Sequence, residues 1–179
     1  MTTPRHGLLH VYTGNGKGKT TAALGAVWRA LGAGLRVCVV QFLKGGVIPS
    51  ERAAASHFAP QLTFLHTAHP FTEALMQGHP EEEDRRYARR TWEQAQAALR
   101  NETYDLVVLD EIDNTLHLGL LPLEEVLAAL RGRPTGQEVI CTGRHAPAEL
   151  MALADLVTEM VEVKHPYAQG LGARKGFEI

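Results

Sequence analysis

Between Tyr12 and Thr21 the chain reads Tyr-Thr-Gly-Asn-Gly-Lys-Gly-Lys-Thr-Thr, a run whose residue types suit the holding of a polyanion. Glycine lets the backbone curl until successive N–H groups point inward as a nest. A helix that opens directly after such a loop adds its unpaired N-terminal donors and the positive end of its dipole. Lys19 brings a full positive charge, and Thr20 offers a hydroxyl to a metal ion. The run follows a short apolar strand and precedes a helical pattern, which is the setting a phosphate-binding P-loop requires. We read Gly14, Asn15, Gly16, Lys17, Gly18, Lys19, Thr20 and Thr21 as a nucleotide site. One position departs from the usual pattern: Thr13 stands where a glycine is expected. The competing reading is a glycine-rich turn with solvated lysines.

A second signal is Leu106-Val107-Val108-Leu109-Asp110-Glu111. Four apolar residues read as a buried strand, and two carboxylates follow at its C-terminal end, where open α/β sheets bind ligands. Beside a P-loop this resembles a Walker B element. Thr20, Asp110 and Glu111 then form one site for magnesium, with manganese as an alternative, since such ions take one or two carboxylates plus phosphate oxygens. Two carboxylates capping the next segment is the plainer alternative. Arg144, after the fifth expected strand, either contacts phosphate through its planar fork or forms a surface salt bridge. His66, His69 and His79 fall in one irregular region without zinc-like spacing, so they read as solvated loop histidines on a lid or substrate-facing loop. The glycine-rich basic tail from Lys164 reads, taken alone, as a disordered end. No guanine-reading Asn-Lys-x-Asp is present, which favours ATP. These residues identify neither a catalytic base nor a phosphoryl acceptor site.

The elements that must position these groups alternate regularly. Strands are expected at Leu8–Tyr12, Arg36–Phe42, Gln61–Leu65, Asp105–Leu109, Glu138–Thr142 and Leu156–Val163. Helices are expected at Thr20–Leu31, Glu51–Phe58 with Ser50 as cap, Pro80–Asn101, Pro122–Leu130 and Pro147–Leu153. The alternation implies an α/β fold, a mainly parallel sheet flanked by helices, with residues 1–179 as a single domain. In the long third helix, Glu81–Arg85 and Glu82–Arg86 have the spacing of i,i+4 pairs, and its charge run reads as a solvated face. Of the 179 residues 45% are hydrophobic and 21% charged, and the net charge is −2, which leaves no electrostatic footprint for nucleic acid. Cys38 and Cys141 lie inside expected buried strands, as core residues of a protein in a reducing compartment. No apolar run reaches transmembrane length, and Met1–His6 is too short and polar for a signal peptide, so a cytoplasmic protein with no membrane partner is expected.

Across nearly its whole length the chain resembles the P-loop type of ATP:corrinoid adenosyltransferases. The resemblance rests on Thr13-Gly14-Asn15-Gly16-Lys17-Gly18-Lys19-Thr20-Thr21-Ala22-Ala23 and Val39-Val40-Gln41-Phe42-Leu43-Lys44-Gly45. It continues through Val107-Val108-Leu109-Asp110-Glu111, Leu121-Pro122-Leu123-Glu124-Glu125-Val126, Thr142-Gly143-Arg144 and Val163-Lys164-His165-Pro166, and closes with Ala173-Arg174-Lys175-Gly176-Phe177-Glu178-Ile179. The family's loop shares the unusual spacing at Thr13.

The resemblance implies a P-loop NTPase-like, RecA-like domain that transfers the 5′-deoxyadenosyl group of ATP to the cobalt(I) of a corrinoid and releases triphosphate. It implies that Lys19 and Glu111 act in catalysis, that the loop holds ATP in reversed orientation, and that Thr20 and Glu111 bear on the metal. It also implies a homodimer and an electron donor such as a flavoprotein reductase. Two departures are visible. Few residues precede the first strand, so closure of the corrinoid site is expected to fall to segments other than an N-terminal extension. Relatives place two aromatics near Phe71, and Glu73 replaces the second. The Asp-x-His-x-x-Gly corrinoid signature is absent, since Asp113 to Gly119 is spaced differently, which fits corrinoid binding without a protein histidine on cobalt. The readings that compete are an ATP-dependent phosphotransferase or ATPase, and a non-catalytic ATP-binding regulator.

Overall fold

Alternation within the strands dictates the layers. In a strand successive side chains point to opposite faces, so a run apolar at every position must be covered on both. A computed structural model describes residues 6–45, 50–67, 73–166, 170, 172 and 174–177. It contains a six-stranded sheet in the order β3-β2-β4-β5-β1-β6, with every pairing parallel. The strands are β1 (Leu9–Thr13), β2 (Val37–Gln41), β3 (Leu62–His66), β4 (Leu106–Asp110), β5 (Glu138–Thr142) and β6 (Leu156–Glu159). The helices are α1 (Lys19–Gly32), α2 (Ser50–Ala55), α3 (Glu73–Met76), α4 (Glu82–Arg100), α5 (Ile112–His117), α6 (Leu123–Arg131) and α7 (Ala148–Leu153).

The two faces are covered unequally. Val37, Val39, Leu106, Val108 and Ile140 pack with Ala23, Val27 and Ala30 of α1. Their sequence neighbours Cys38, Val40, Val107, Leu109, Val139 and Cys141 turn to the opposite face, where α4, α5, α6 and α7 supply Trp92, Leu99, Ile112, Leu127 and Leu150. β2 and β4 are buried at every position, as central strands must be. The Cys38 thiol is pushed up to about 12, chiefly by burial, which keeps it inert. Among the described residues no helix is long and apolar enough to cross a membrane.

Three expectations are corrected. The last strand stops at Glu159, short of Val163, because the chain leaves β1 there and turns along the loop that follows it: Met160 N–H donates to Thr13 O at 2.8 Å, and Gly16 N–H donates to Met160 O at 2.7 Å. The short helices α3 and α5 have no counterpart in the sequence reading; α5 is only one and a half turns, too brief for periodicity to reveal. The expected pairs Glu81–Arg85 and Glu82–Arg86 do not form. Glu81 instead caps α4 in a reciprocal box with Asp84, and the Arg85 guanidinium donates to Gly119 O. His69 and Phe71 lie outside the described residues.

Glu125 ties α4 to α6. Its Oε1 accepts from Trp92 Nε1 at 2.7 Å and Gln96 Nε2 at 3.2 Å, and Arg89 Nη1 donates to both carboxylate oxygens at 2.7 and 2.8 Å. The Arg89 bond is the main cause of a carboxyl held below its usual range. Trp92 is fully buried, so removing its acceptor orphans an indole N–H. Glu125→Ala is expected to lower stability by about 1–3 kcal/mol in urea titrations at neutral pH. The carboxylate's contribution is present above the unfolded pKa of about 4.3 and is lost as pH falls through the lower folded value. The gap between mutant and parent should therefore narrow in acid; a gap below about 0.5 kcal/mol at pH 7 would show that the bond carries little.

Candidate active site

Because every strand is parallel, every strand's C-terminal end lies at one edge, and the groups singled out in the sequence converge there. The loop after β1, Lys44 after β2, Asp110-Glu111 at the end of β4 and Arg144 after β5 all meet at this edge. Together they surround a cleft of about 510 Å³. Asn15, Gly16, Lys17, Gly18, Lys19, Thr20, Thr21, Glu111 and Arg144 line it. Gly14 and Asp110 do not; each sits one layer behind.

The loop has its shape from a neighbour. Gly14 has φ +97° and Gly18 φ +123°, a region L side chains rarely adopt. A Cβ on Gly14 would lie 2.5 Å from Met160 O, and one on Gly16 would lie 2.8 Å from both Met160 O and Val161 O. The glycines are thus required by the chain leaving β6. Thr13, the departure from the usual pattern, also has a structural task. It is 8% exposed, and its Oγ1 accepts from Ala146 N–H at 3.2 Å, joining the loop to the segment after β5. A glycine there would lose that bond.

Lys19 opens α1, yet it is only 8% exposed. Its Nζ donates to Gly14 O and Gly16 O, both at 2.7 Å. An ammonium has three donors, so this hold leaves one for a ligand in the cleft. Burial lowers the lysine's pKa, opposed first by the field of Glu111.

Asp110 is 1% exposed and accepts from two strands and a helix. Thr20 Oγ1 donates to Oδ1 at 2.8 Å and Thr142 Oγ1 donates to the same oxygen at 2.7 Å. Gln41 Nε2 donates to Oδ2 at 3.1 Å, and Lys44 Nζ stands 3.9 Å from it. Asp110 therefore orients Thr20, while Glu111 faces the cleft. Glu111 has φ +65°, uncommon for a residue with a side chain, and its N–H donates to Thr142 Oγ1 at 3.1 Å. That left-handed turn aims the carboxylate off the strand and caps α5. Asn114 Nδ2 donates to Oε2 at 2.6 Å; Oε1 has no partner among the described residues. Burial and the adjacent Asp110 raise the Glu111 pKa. Arg144 is exposed and lines the cleft, its N–H donates to Asn114 Oδ1 at 2.8 Å, and its charge acts on Glu111.

Several lining residues escaped the sequence reading. Lys44 stands just past β2, where attention to the strand ends would have found it. Ser50 and Glu51 were read only as a helix start. Gly176 and Phe177 come from the far end of the chain, with Arg174 5.0 Å from the Phe177 ring, and no local pattern announces them. His66 ends β3 and His79 follows α3. Among the described residues no group of three or more His, Cys, Asp or Glu side chains converges to hold a metal.

A parallel α/β sheet with a glycine-lysine phosphate loop and paired carboxylates at its carboxyl edge defines a P-loop nucleotide-binding protein. The family model for ATP:corrinoid adenosyltransferase BtuR/CobO/CobP matches residues 5–179. The corrinoid adenosyltransferase of Pseudomonas aeruginosa is 40% identical over 173 residues, 97% of this chain and 84% of that protein. The Escherichia coli protein of that name is 40% identical over 172 residues, 96% and 85% of the two chains, and the one from Salmonella typhimurium is 39% identical over the same length and shares. The chain belongs to the ATP:corrinoid adenosyltransferase family and is an enzyme of it.

Thr142 touches no expected ligand, yet it holds both carboxylate residues. Thr142→Val should leave the Glu111 N–H and one Asp110 lone pair unsatisfied, costing about 1–3 kcal/mol in stability. Turnover should fall with it, while Thr142→Ser keeps the hydroxyl and should retain both. Equal behaviour of the two variants in denaturant titration and assay would show that the hydroxyl is dispensable.

Proposed function

We propose that the 179 residues act as one domain that transfers the 5′-deoxyadenosyl group of ATP to the cobalt(I) of a corrinoid. The carrying observation is the cleft itself, where Lys19, anchored by two loop carbonyls with one donor to spare, stands among glycine amides, Lys17, Lys44 and Arg144. Such a lining suits a triphosphate held as a whole.

In the reaction the cobalt(I) electron pair forms a bond to C5′ while the C5′–O bond breaks. Those bonding electrons leave with inorganic triphosphate, and cobalt becomes formally cobalt(III). Cobalt(I) is already a strong nucleophile, so the chain need not supply a general base. Its work is to orient C5′ and to stabilise charge on the departing oxygens. Lys19 and the loop amides that Met160 leaves free hold the phosphates, Arg144 reaches them from the β5 side, and Glu111 faces them across the cleft.

Magnesium, or manganese in its place, fits the donor set. Thr20 Oγ1, the unpartnered Glu111 Oε1 and, behind them, Asp110 are hard oxygens on one side of the cleft. The Glu111 carboxylate and the Thr20 hydroxyl, which Asp110 orients from behind, leave room for phosphate oxygens and water. When bound, the ion would neutralise the leaving group's charge. An electron donor such as a flavoprotein reductase, and a homodimer, complete the proposal by analogy with the family.

ATP, magnesium and chemically reduced cobalamin, mixed anaerobically, should yield triphosphate and the spectrum of a cobalt–carbon bond. ADP as product, with no such bond, would identify a phosphotransferase instead. Lys19→Ala should lower turnover by about 10²–10³-fold through lost leaving-group stabilisation. Its unfolding should stay cooperative and within about 1–2 kcal/mol of the parent. Loss of cooperative unfolding would mean that the lysine is chiefly structural.

A further inference from the structure

A second groove, of about 620 Å³, runs between the first half of α4 and the turn Gly119–Pro122. Arg85, Arg86, Arg89 and Arg90 line it together with one carboxylate, Glu82, an excess of three positive charges, and its floor includes Leu120 and Leu121. Two of the guanidinia hold the groove together: Arg85 donates to Gly119 O, and Arg89 binds Glu125. The other two, Arg86 and Arg90, are exposed and have no acidic partner among the described residues.

Nothing in the fold accounts for that pair. Like charges at i,i+4 oppose a helix. Arg86 and Arg90 stand on one helix face, close enough for two planar forks to reach one phosphate. The groove also lies on the active-site edge of the sheet, where α4 and α6 both begin their return to the next strand. From Glu111 it is one short helix away, since the six residues of α5 span about 9 Å.

Resting on the adenosyltransferase reading, we infer that this groove binds the phosphodiester of the corrinoid's nucleotide side arm, so that the enzyme favours corrinoids carrying that anion. A groove with an apolar floor and two neighbouring arginines one helical turn apart suits one phosphate on a small molecule better than the spread charges of an acidic protein face.

The test compares cobalamin, which bears the phosphodiester, with cobinamide, which lacks it, both chemically reduced to cobalt(I). In Arg86→Ala/Arg90→Ala the KM for cobalamin should rise about tenfold. Its kcat, the KM for cobinamide and the melting temperature should stay as in the parent. Arg86→Gln alone should give a smaller shift in the same direction. Inorganic phosphate at constant ionic strength should raise the parent's KM for cobalamin only. Equal shifts for both corrinoids, or none for either, would overturn the inference. So would an effect seen only when a protein donor supplies the electrons, which would assign the arginines to that partner. A parent enzyme that adenosylates neither corrinoid would fail the adenosyltransferase reading itself, a result visible before any variant is made.

Discussion

Asp110 is the group on which the site depends. A buried carboxylate is tolerated only when its lone pairs are filled, and this one is filled by Thr20 from α1, Gln41 from β2 and Thr142 from β5. Those bonds fix the start of the phosphate-loop helix relative to three strands. They also explain a division of labour between neighbouring acids. Asp110 is fully occupied with structure, whereas Glu111, thrown outward by its left-handed turn, keeps one oxygen open to the cleft.

The same economy governs the loop. Its shape is held by Met160 N–H donating to Thr13 O, by Gly16 N–H donating to Met160 O and by the anchored lysine, all present without any ligand. Donors fixed in advance need no reorganisation when charge develops on them, which is where this kind of catalysis has its strength. Chemistry at the carbon end of ATP asks for no more than that from the phosphate end, provided cobalt(I) arrives as a nucleophile in its own right.

Much of this was legible in the sequence, for physical reasons. Strands covered on both faces announce themselves as unbroken apolar runs, so β2 and β4 were placed within a residue. The loop and the Asp110-Glu111 pair are contiguous motifs at strand ends, so parallel alternation alone brings them to one edge. What stayed hidden depends on contacts between distant segments. Phe177 reaches the cleft from the end of the chain, and the tail that reads as disordered carries it there. The length of β6 was misjudged because Met160 and Val161 look like strand residues but serve the loop. Arg85 found a carbonyl in place of the expected glutamate, since Glu81 was needed to cap its own helix. At Thr13 the sequence showed an anomaly, and only its bond to Ala146 N–H shows why a hydroxyl belongs there.

The unequal covering of the sheet has an energetic consequence. One face is packed by four helices, the other chiefly by α1, and α1 is the helix that begins with Lys19 and Thr20. Local opening is cheapest where few elements hold a surface down. A nucleotide gripped at the first turn of α1 binds only when that helix is in place, so occupancy weighs the equilibrium against its detachment. A substrate held there would be a clasp on the thinner side of the molecule, and the enzyme's resistance to opening would rise and fall with its supply of ATP.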